Sequence, residues 1–148
     1  MVKRSSLEAA ECPVARSVGA IGDGWSLLII RDAFDGIRRF CDFQRNLGVA
    51  RNVLATRLKS LVGHGVLVVV PASDGSAYQE YVLTEKGRGL FNLIIGLRQW
   101  GEAHFYGPQE PHSVMVDRER GMPLRPLELR AEDGRLVGPD DCRRIPAD

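Results

Sequence analysis

The chain has little material for disulfides, membrane spans or secretion. It carries three cysteines in 148 residues, an odd number and too few for a disulfide scaffold. Its longest apolar run, Val66 to Val70, is far short of the ~20 residues that cross a bilayer. Residues 1–13 hold no apolar stretch of signal-peptide type. Charge of one sign is also missing: 20 Lys and Arg face 19 Asp and Glu, a net of +1. That balance neither requires nor forbids a polyanionic partner. No repeat and no low-complexity tract interrupts the chain. The expectation is a soluble cytoplasmic protein with reduced thiols and no membrane partner. What is present is globular composition, with 44% apolar and 26% charged residues. A chain of this size buries about two-thirds of its unfolded surface and folds without metal or disulfide.

Enzyme signatures are equally sparse. Gly19-x-x-Gly22-x-Gly24 follows no strand and sits in no βαβ unit, so it is not a dinucleotide fingerprint. No Ser or Cys nucleophile has a His placed to activate it in a recognisable motif. His104 and His112 have no metal-ligand spacing to a cysteine, and His64, between two glycines at a helix end, reads as a dipole partner or an exposed residue. No catalysis, cofactor or metal is expected.

The periodicity is mostly helical. Pro13 to Ile21 reads as a short helix with Cys12 at its N-cap and proline at the first position. Asp23 or Gly24 caps a second, largely apolar helix through Trp25, Leu28, Ile29 and Phe34, ended by Gly36. Phe40 to Leu47 is a short helix, Gly48-Val49 a tight turn, and Ala50 to Gly63 a longer helix. Leu54, Leu58, Leu61 and Val62 share one face of it; Arg51, Asn52, Ala55, Thr56 and Lys59 share the other. Then the period changes. Val66 to Val70 and Tyr78 to Leu83 read as strands, and the Ala72 to Ser76 turn makes them a hairpin. Thr84 caps a helix expected to run from Glu85 to about Phe105. The domain assignment is 1–106, followed by a β-rich extension over 107–148 with a hairpin tip at Glu132-Asp133-Gly134.

Charge is distributed unevenly. Within 38–59, Arg38, Arg39, Arg45, Arg51, Arg57 and Lys59 face Asp42 alone, the kind of local basic patch that phosphate binding needs. Two helices, a glycine turn, a helix, a hairpin and a final helix make the order of a winged helix-turn-helix. A B-DNA major groove accepts one α-helix with short polar or guanidinium side chains outward and an apolar face inward. Residues 51–61 supply both faces. Arg51, Asn52 and Thr56 are the expected base readers; Arg39, Arg57 and Lys59 are the expected phosphate contacts, with Arg45 beside them.

The residues also resemble a known family. Cys12-Pro13-Val14, then Gly24-Trp25 leading into Leu27-Leu28-Ile29-Ile30-Arg31-Asp32, is similar to the opening of HxlR-type transcriptional regulators. Arg38-Arg39-Phe40-x-Asp42-Phe43 resembles their segment before the recognition helix, and Asn52-Val53-Leu54-x-x-Arg57-Leu58-Lys59-x-Leu61 their recognition helix. Gly65-Val66-Leu67 and Glu80-Tyr81-x-Leu83-Thr84-x-x-Gly87 resemble the wing, and Leu97-x-x-Trp100-Gly101 the last helix. The resemblance runs in register over roughly residues 10–105. It implies an α+β winged helix that binds a palindromic double-stranded operator as a homodimer joined through its first and last helices. The apolar Val14, Val18, Ile21, Leu90, Phe91, Ile94, Leu97 and Trp100 are the expected seam.

Departures from the family pattern carry their own expectations. Position 50, often a capping serine, is alanine, a poor N-cap that costs typically ~1 kcal/mol. Position 41, a frequent capping serine before the shorter helix, is cysteine. The wing, residues 65–85, holds no Lys or Arg but does hold Asp74, Glu80 and Glu85. These features favour an alternative: a winged-helix module for protein contact or small-molecule binding that has lost DNA. Some relatives sense oxidants or electrophiles through a cysteine near position 12, so the resemblance makes Cys12 a redox-sensor candidate, against a plain capping residue. A small-molecule or electrophile effector follows from that reading.

Overall fold

Residues 7–148 are described by a computed structural model. The first helix lying wholly among the described residues, α1, spans Pro13–Ile21. Proline fits at its first turn because that N–H needs no intrahelical partner. Cys12 occupies the N-cap position, but its side chain makes no capping hydrogen bond. Helix α2 spans Gly24–Phe34. Asp23 caps it through both oxygens, accepting from the Ser26 backbone N–H at 2.8 Å and from the Ser26 hydroxyl at 2.6 Å. Its buried residues are Ser26, Ile29, Ile30 and Asp32, while Trp25 is exposed. The expected all-round apolar helix is therefore partly polar inside.

Helix α3 spans Phe40–Leu47 and ends at Gly48, whose φ of 64° only glycine adopts without strain. Its N-cap is Arg39. Cys41 lies inside the first turn, two residues beyond the position a capping side chain would use. Helix α4 spans Arg51–Gly63 after Ala50, with no side-chain cap, as the sequence requires. Leu54, Leu58 and Leu61 are fully buried on its inner face, and Phe43 of α3, Ile29 and Ile30 of α2 are buried with them. These side chains fix α4 on the core.

Strands β1, Leu67–Pro71, and β2, Gln79–Leu83, pair antiparallel with Leu67 opposite Leu83 and Pro71 opposite Gln79. The Ala72 N–H donates to the Tyr78 carbonyl and closes the hairpin, with Gly75 at φ 76° in its turn. The expected single helix from Glu85 is instead two: α5, Glu85–Arg88, and α6, Phe91–His104. Gly89 and Leu90 break it, since the Leu90 N–H turns back to the Gly87 carbonyl three residues earlier.

Thr84 ties α5 to the turn before β1. Its hydroxyl oxygen accepts from the Gly87 N–H at 3.0 Å, and its hydroxyl donates to the Gly65 carbonyl. Gly87 is buried there, and a Cβ on it would lie 2.2 Å from the Val66 carbonyl oxygen. Gly87→Ala is expected to cost about 1–3 kcal/mol, because backbone rather than a flexible side chain must move. Urea unfolding measures it; an unchanged midpoint would show that α5 relaxes away at no cost.

The chain divides into two compact units, up to Phe91 and Asn92–Asp148. The first is an α+β winged helix. Beyond α6 the second holds no strand: two isolated bridges, Val116 to Pro123 and Arg130 to Leu136, and a 3-10 turn at Pro139–Asp141. The expected tip at 132–134 is present, with Gly134 at φ 90° and the Ala131 N–H donating to the Arg135 carbonyl. The β content foreseen for this tail is thus limited to single bridges, because no facing layer offers a ladder to extend.

Candidate nucleic-acid interface

Helix α4 presents two chemically distinct faces. Arg51, Asn52, Ala55, Thr56 and Lys59 are all exposed, and Leu54, Leu58 and Leu61 are buried. The Thr56 hydroxyl donates to the Asn52 carbonyl at 2.9 Å, leaving its oxygen lone pairs outward. The Arg51 guanidinium lies 5.1 Å from the Phe40 ring centroid, which steadies it at the start of the helix. Among the described residues, neither Arg51 nor Lys59 makes an ion pair. Together with the Asn52 amide, they form an outward set of donors and cationic charge along about two turns of helix.

Two other arginines are engaged inside the protein. Arg57 is half-buried, its Nε 3.1 Å from Asp23 Oδ1 but poorly aligned for a hydrogen bond. Asp23 therefore both caps α2 and pairs with α4, which fixes the angle at which α4 leaves the core. Arg39, with a side chain 27% exposed, reaches into the wing. Its guanidinium donates to Asp74, lies 3.7 Å from Glu80 and sits 5.3 Å from the Tyr78 ring centroid. The Ser76 backbone N–H and hydroxyl, and then Arg39, hold the Asp74 carboxyl well below the usual carboxylate range. Glu80 is buried and accepts from the Ser73 N–H and hydroxyl at 3.2 Å each. Arg38 also lies 3.7 Å from Glu80.

The acidic wing thus draws in the two arginines that precede α3. In place of outward cations, the hairpin gains a charged anchor to the helix-turn-helix. Arg45, also expected near phosphate, is exposed and 3.4 Å from Asp42, a surface pair that costs little to break.

The sequence motif contains Asp32 but assigns it no role. It is 1% exposed and accepts from Arg31 Nε at 3.0 Å, Arg31 Nη2 at 2.9 Å and Asn46 Nδ2 at 2.8 Å. The pair Asp32–Asn46 locks α2 to α3. A carboxylate inside the run Leu27-Leu28-Ile29-Ile30 to Phe34 was the available signal, since a buried charge must find partners. No comparable signal marked Asp74 and Glu80, whose partners lie some 35 to 42 residues away.

The apolar surface follows helix phase. Val14 and Val18 of α1 are exposed, and so are Phe91, Leu93, Leu97 and Trp100 of α6, the last at 58%. Ile21 and Ile94, expected on the seam, are buried instead, and Leu93 stands in the outward row. Cys12, Cys41 and Cys142 are exposed free thiols. No helix of the described residues is long and apolar enough to cross a membrane.

A family model described as HxlR-like helix-turn-helix matches residues 20–109. The chain is 45% identical to the HTH-type transcriptional regulator Rv3095 of Mycobacterium tuberculosis over 98 residues, 66% of this chain and 62% of that one. The match therefore spans less than two-thirds of that relative's length. The crystal structure of PA1607, a proposed transcription factor, is 53% identical with a TM-score of 0.90, covering 95% of this chain and 98% of that one. The oxidised form of the redox regulator HypR is 28% identical with a TM-score of 0.58, covering 65% of this chain and all of that one.

Proposed function

Since the chain belongs to the HxlR-like helix-turn-helix family of transcriptional regulators, we propose that it binds a palindromic double-stranded DNA operator as a cytoplasmic homodimer and acts as a repressor. The observation that carries this reading is the outward face of α4, where Arg51, Asn52, Thr56 and Lys59 stand exposed over a fully buried leucine row. An α-helix so presented enters a major groove, with Arg51 and Asn52 shaped to pair bidentately with guanine and adenine edges. Two copies related by a dyad would place these helices about 34–36 Å apart, one DNA turn. The apolar rows of α1 and α6 are the surfaces that would join them. The reading assigns no catalytic step.

Phosphate contact falls to Lys59, with Arg45 in reserve. Arg39 and Arg57 serve first as supports: Arg39 holds the wing and Arg57 holds α4. The test is in vitro selection of duplexes bound by the purified full chain, followed by a salt titration on the winner. A palindromic consensus is expected. Lys59→Ala is expected to weaken all duplexes alike and to flatten the log–log salt dependence by about one unit for each phosphate no longer neutralised. Selection without any consensus, at affinity that salt hardly changes, sinks the proposal.

One observation favours a second reading, a winged-helix module for protein contact or small-molecule binding. The wing carries no Lys or Arg, and its acids neutralise Arg39. The same titration separates the two readings. Regulation by an electrophile or oxidant at Cys12 belongs to the first reading. The thiol is exposed at the start of α1, and a chain similar to this one is a redox regulator. Cys12→Ser and wild type, treated with a quinone, should then differ in operator binding; an identical fall in both removes Cys12 from the mechanism.

A further inference from the structure

Residues 107–148 are a tail without an interior. None of them is buried, and among the exposed side chains are Val114, Met122, Leu129 at 65%, Leu136 and Ile145 at 74%. Its bonds are local or run to α6. Arg98 donates to the Ser113 carbonyl and hydroxyl at 3.0 Å, Gln99 donates to the Arg125 carbonyl at 3.0 Å, and the Leu127 N–H donates back to Gln99 Oε1 at 2.8 Å. Ordering a residue costs about 1–2 kcal/mol of backbone entropy, and exposed local bonds do not offset that over some forty residues. Yet the solved structure with a TM-score of 0.90 covers 95% of this chain, a figure out of reach unless the tail follows the same course there. A segment with no core that keeps one conformation is held from outside its own chain.

We propose that the tail is an arm that packs on a second copy of this chain. The inference rests on the homodimer reading above and names a surface beyond the two helices of that seam. Three features select a second copy over another partner. Arg98 and Gln99, which root the tail, lie on α6 on a different face from Leu97 and Trp100 of the outward apolar row, so the arm starts on a helix that the homodimer reading places at the seam. The exposed tail residues are aliphatic, the chemistry that an apolar protein surface covers and DNA does not. The charges are complementary: residues 106–148 carry 7 Lys or Arg against 9 Asp or Glu, whereas residues 1–105 carry 13 against 10.

The experiment uses the full chain in sedimentation equilibrium and amide hydrogen exchange. A dimer is expected, with the amides around residues 129–137 protected at high protein concentration and exposed on dilution. Leu129→Asp with Leu136→Asp is expected to raise the dimer dissociation constant roughly tenfold or more per side chain. Measured at concentrations where both proteins are monomeric, the thermal midpoint of the winged helix should stay put, because neither residue belongs to its core. A wild-type dimer whose tail amides exchange at all concentrations, or whose dissociation constant the double variant leaves unchanged, overturns the arm and spares the dimer. A wild-type monomer overturns both.

Discussion

Arg51→Ala combined with Asn52→Ala is expected to reduce operator affinity by roughly 30-fold to 10⁴-fold, the sum of two readout contacts at about 1–3 kcal/mol each. Both side chains are exposed on the outward face of α4, so their removal leaves the leucine row untouched. Alanine is the strongest helix former, and the Asn52 carbonyl still accepts from Thr56 because that bond is to backbone. Within the protein, the double substitution removes the stacking of Arg51 over Phe40, worth about 0.5–1 kcal/mol at an exposed site. The variant should therefore unfold near the wild-type midpoint while binding random duplex and operator with more similar affinity. Fluorescence anisotropy on both duplexes measures the collapse of that ratio. A variant that keeps its preference would show that another face of the protein reads the bases.

Leu58→Ala acts on the same helix from the other side. Leu58 is fully buried between Leu54 and Leu61, and truncating such a side chain leaves a cavity that a packed core closes only in part. The expected cost is about 2–5 kcal/mol, a large fraction of the roughly 5–15 kcal/mol typical of a domain. For a chain of this length that lowers the thermal midpoint by roughly 5–20 °C. Denaturant unfolding reads the change directly. Operator binding by the fraction still folded should be near normal, since Leu58 lies on the face opposite the outward residues. A destabilisation below about 1 kcal/mol, under the range for a buried leucine, would mean that α4 is not seated as described. The two variants together separate what holds the helix from what the helix presents.

Much of this was legible in the chain. The helical spacing of Leu54, Leu58 and Leu61 set both the existence of α4 and its inner face, and hence the outward position of Arg51, Asn52, Thr56 and Lys59. Gly48, at φ 64°, and the strands flanking the Ala72 to Ser76 turn marked the turn and the hairpin. Local chemistry sufficed there because each feature depends on residues near one another in the chain. The break at Gly89 was not legible. The apolar spacing from Leu90 to Trp100 continues at helical period and hides it, and the fold shows the break only in the Leu90 N–H, which bonds back to the Gly87 carbonyl.

The sequence by itself determined the order of elements, the family to which they are similar, and which side of α4 faces out. Tertiary structure decided which cations remain available. Six basic residues between positions 38 and 59 are equivalent on paper, but Asp74 and Glu80 take up Arg39, and Asp23 takes up Arg57. All three acids lie outside that window, on caps, turns and strands that only folding brings to it. Ion pairs depend on distance in space, and at a solvated surface they are screened beyond about 10 Å, whereas periodicity depends on distance along the chain. That difference is why the helices could be read directly and the pairing of Arg39 and Arg57 with acids could not.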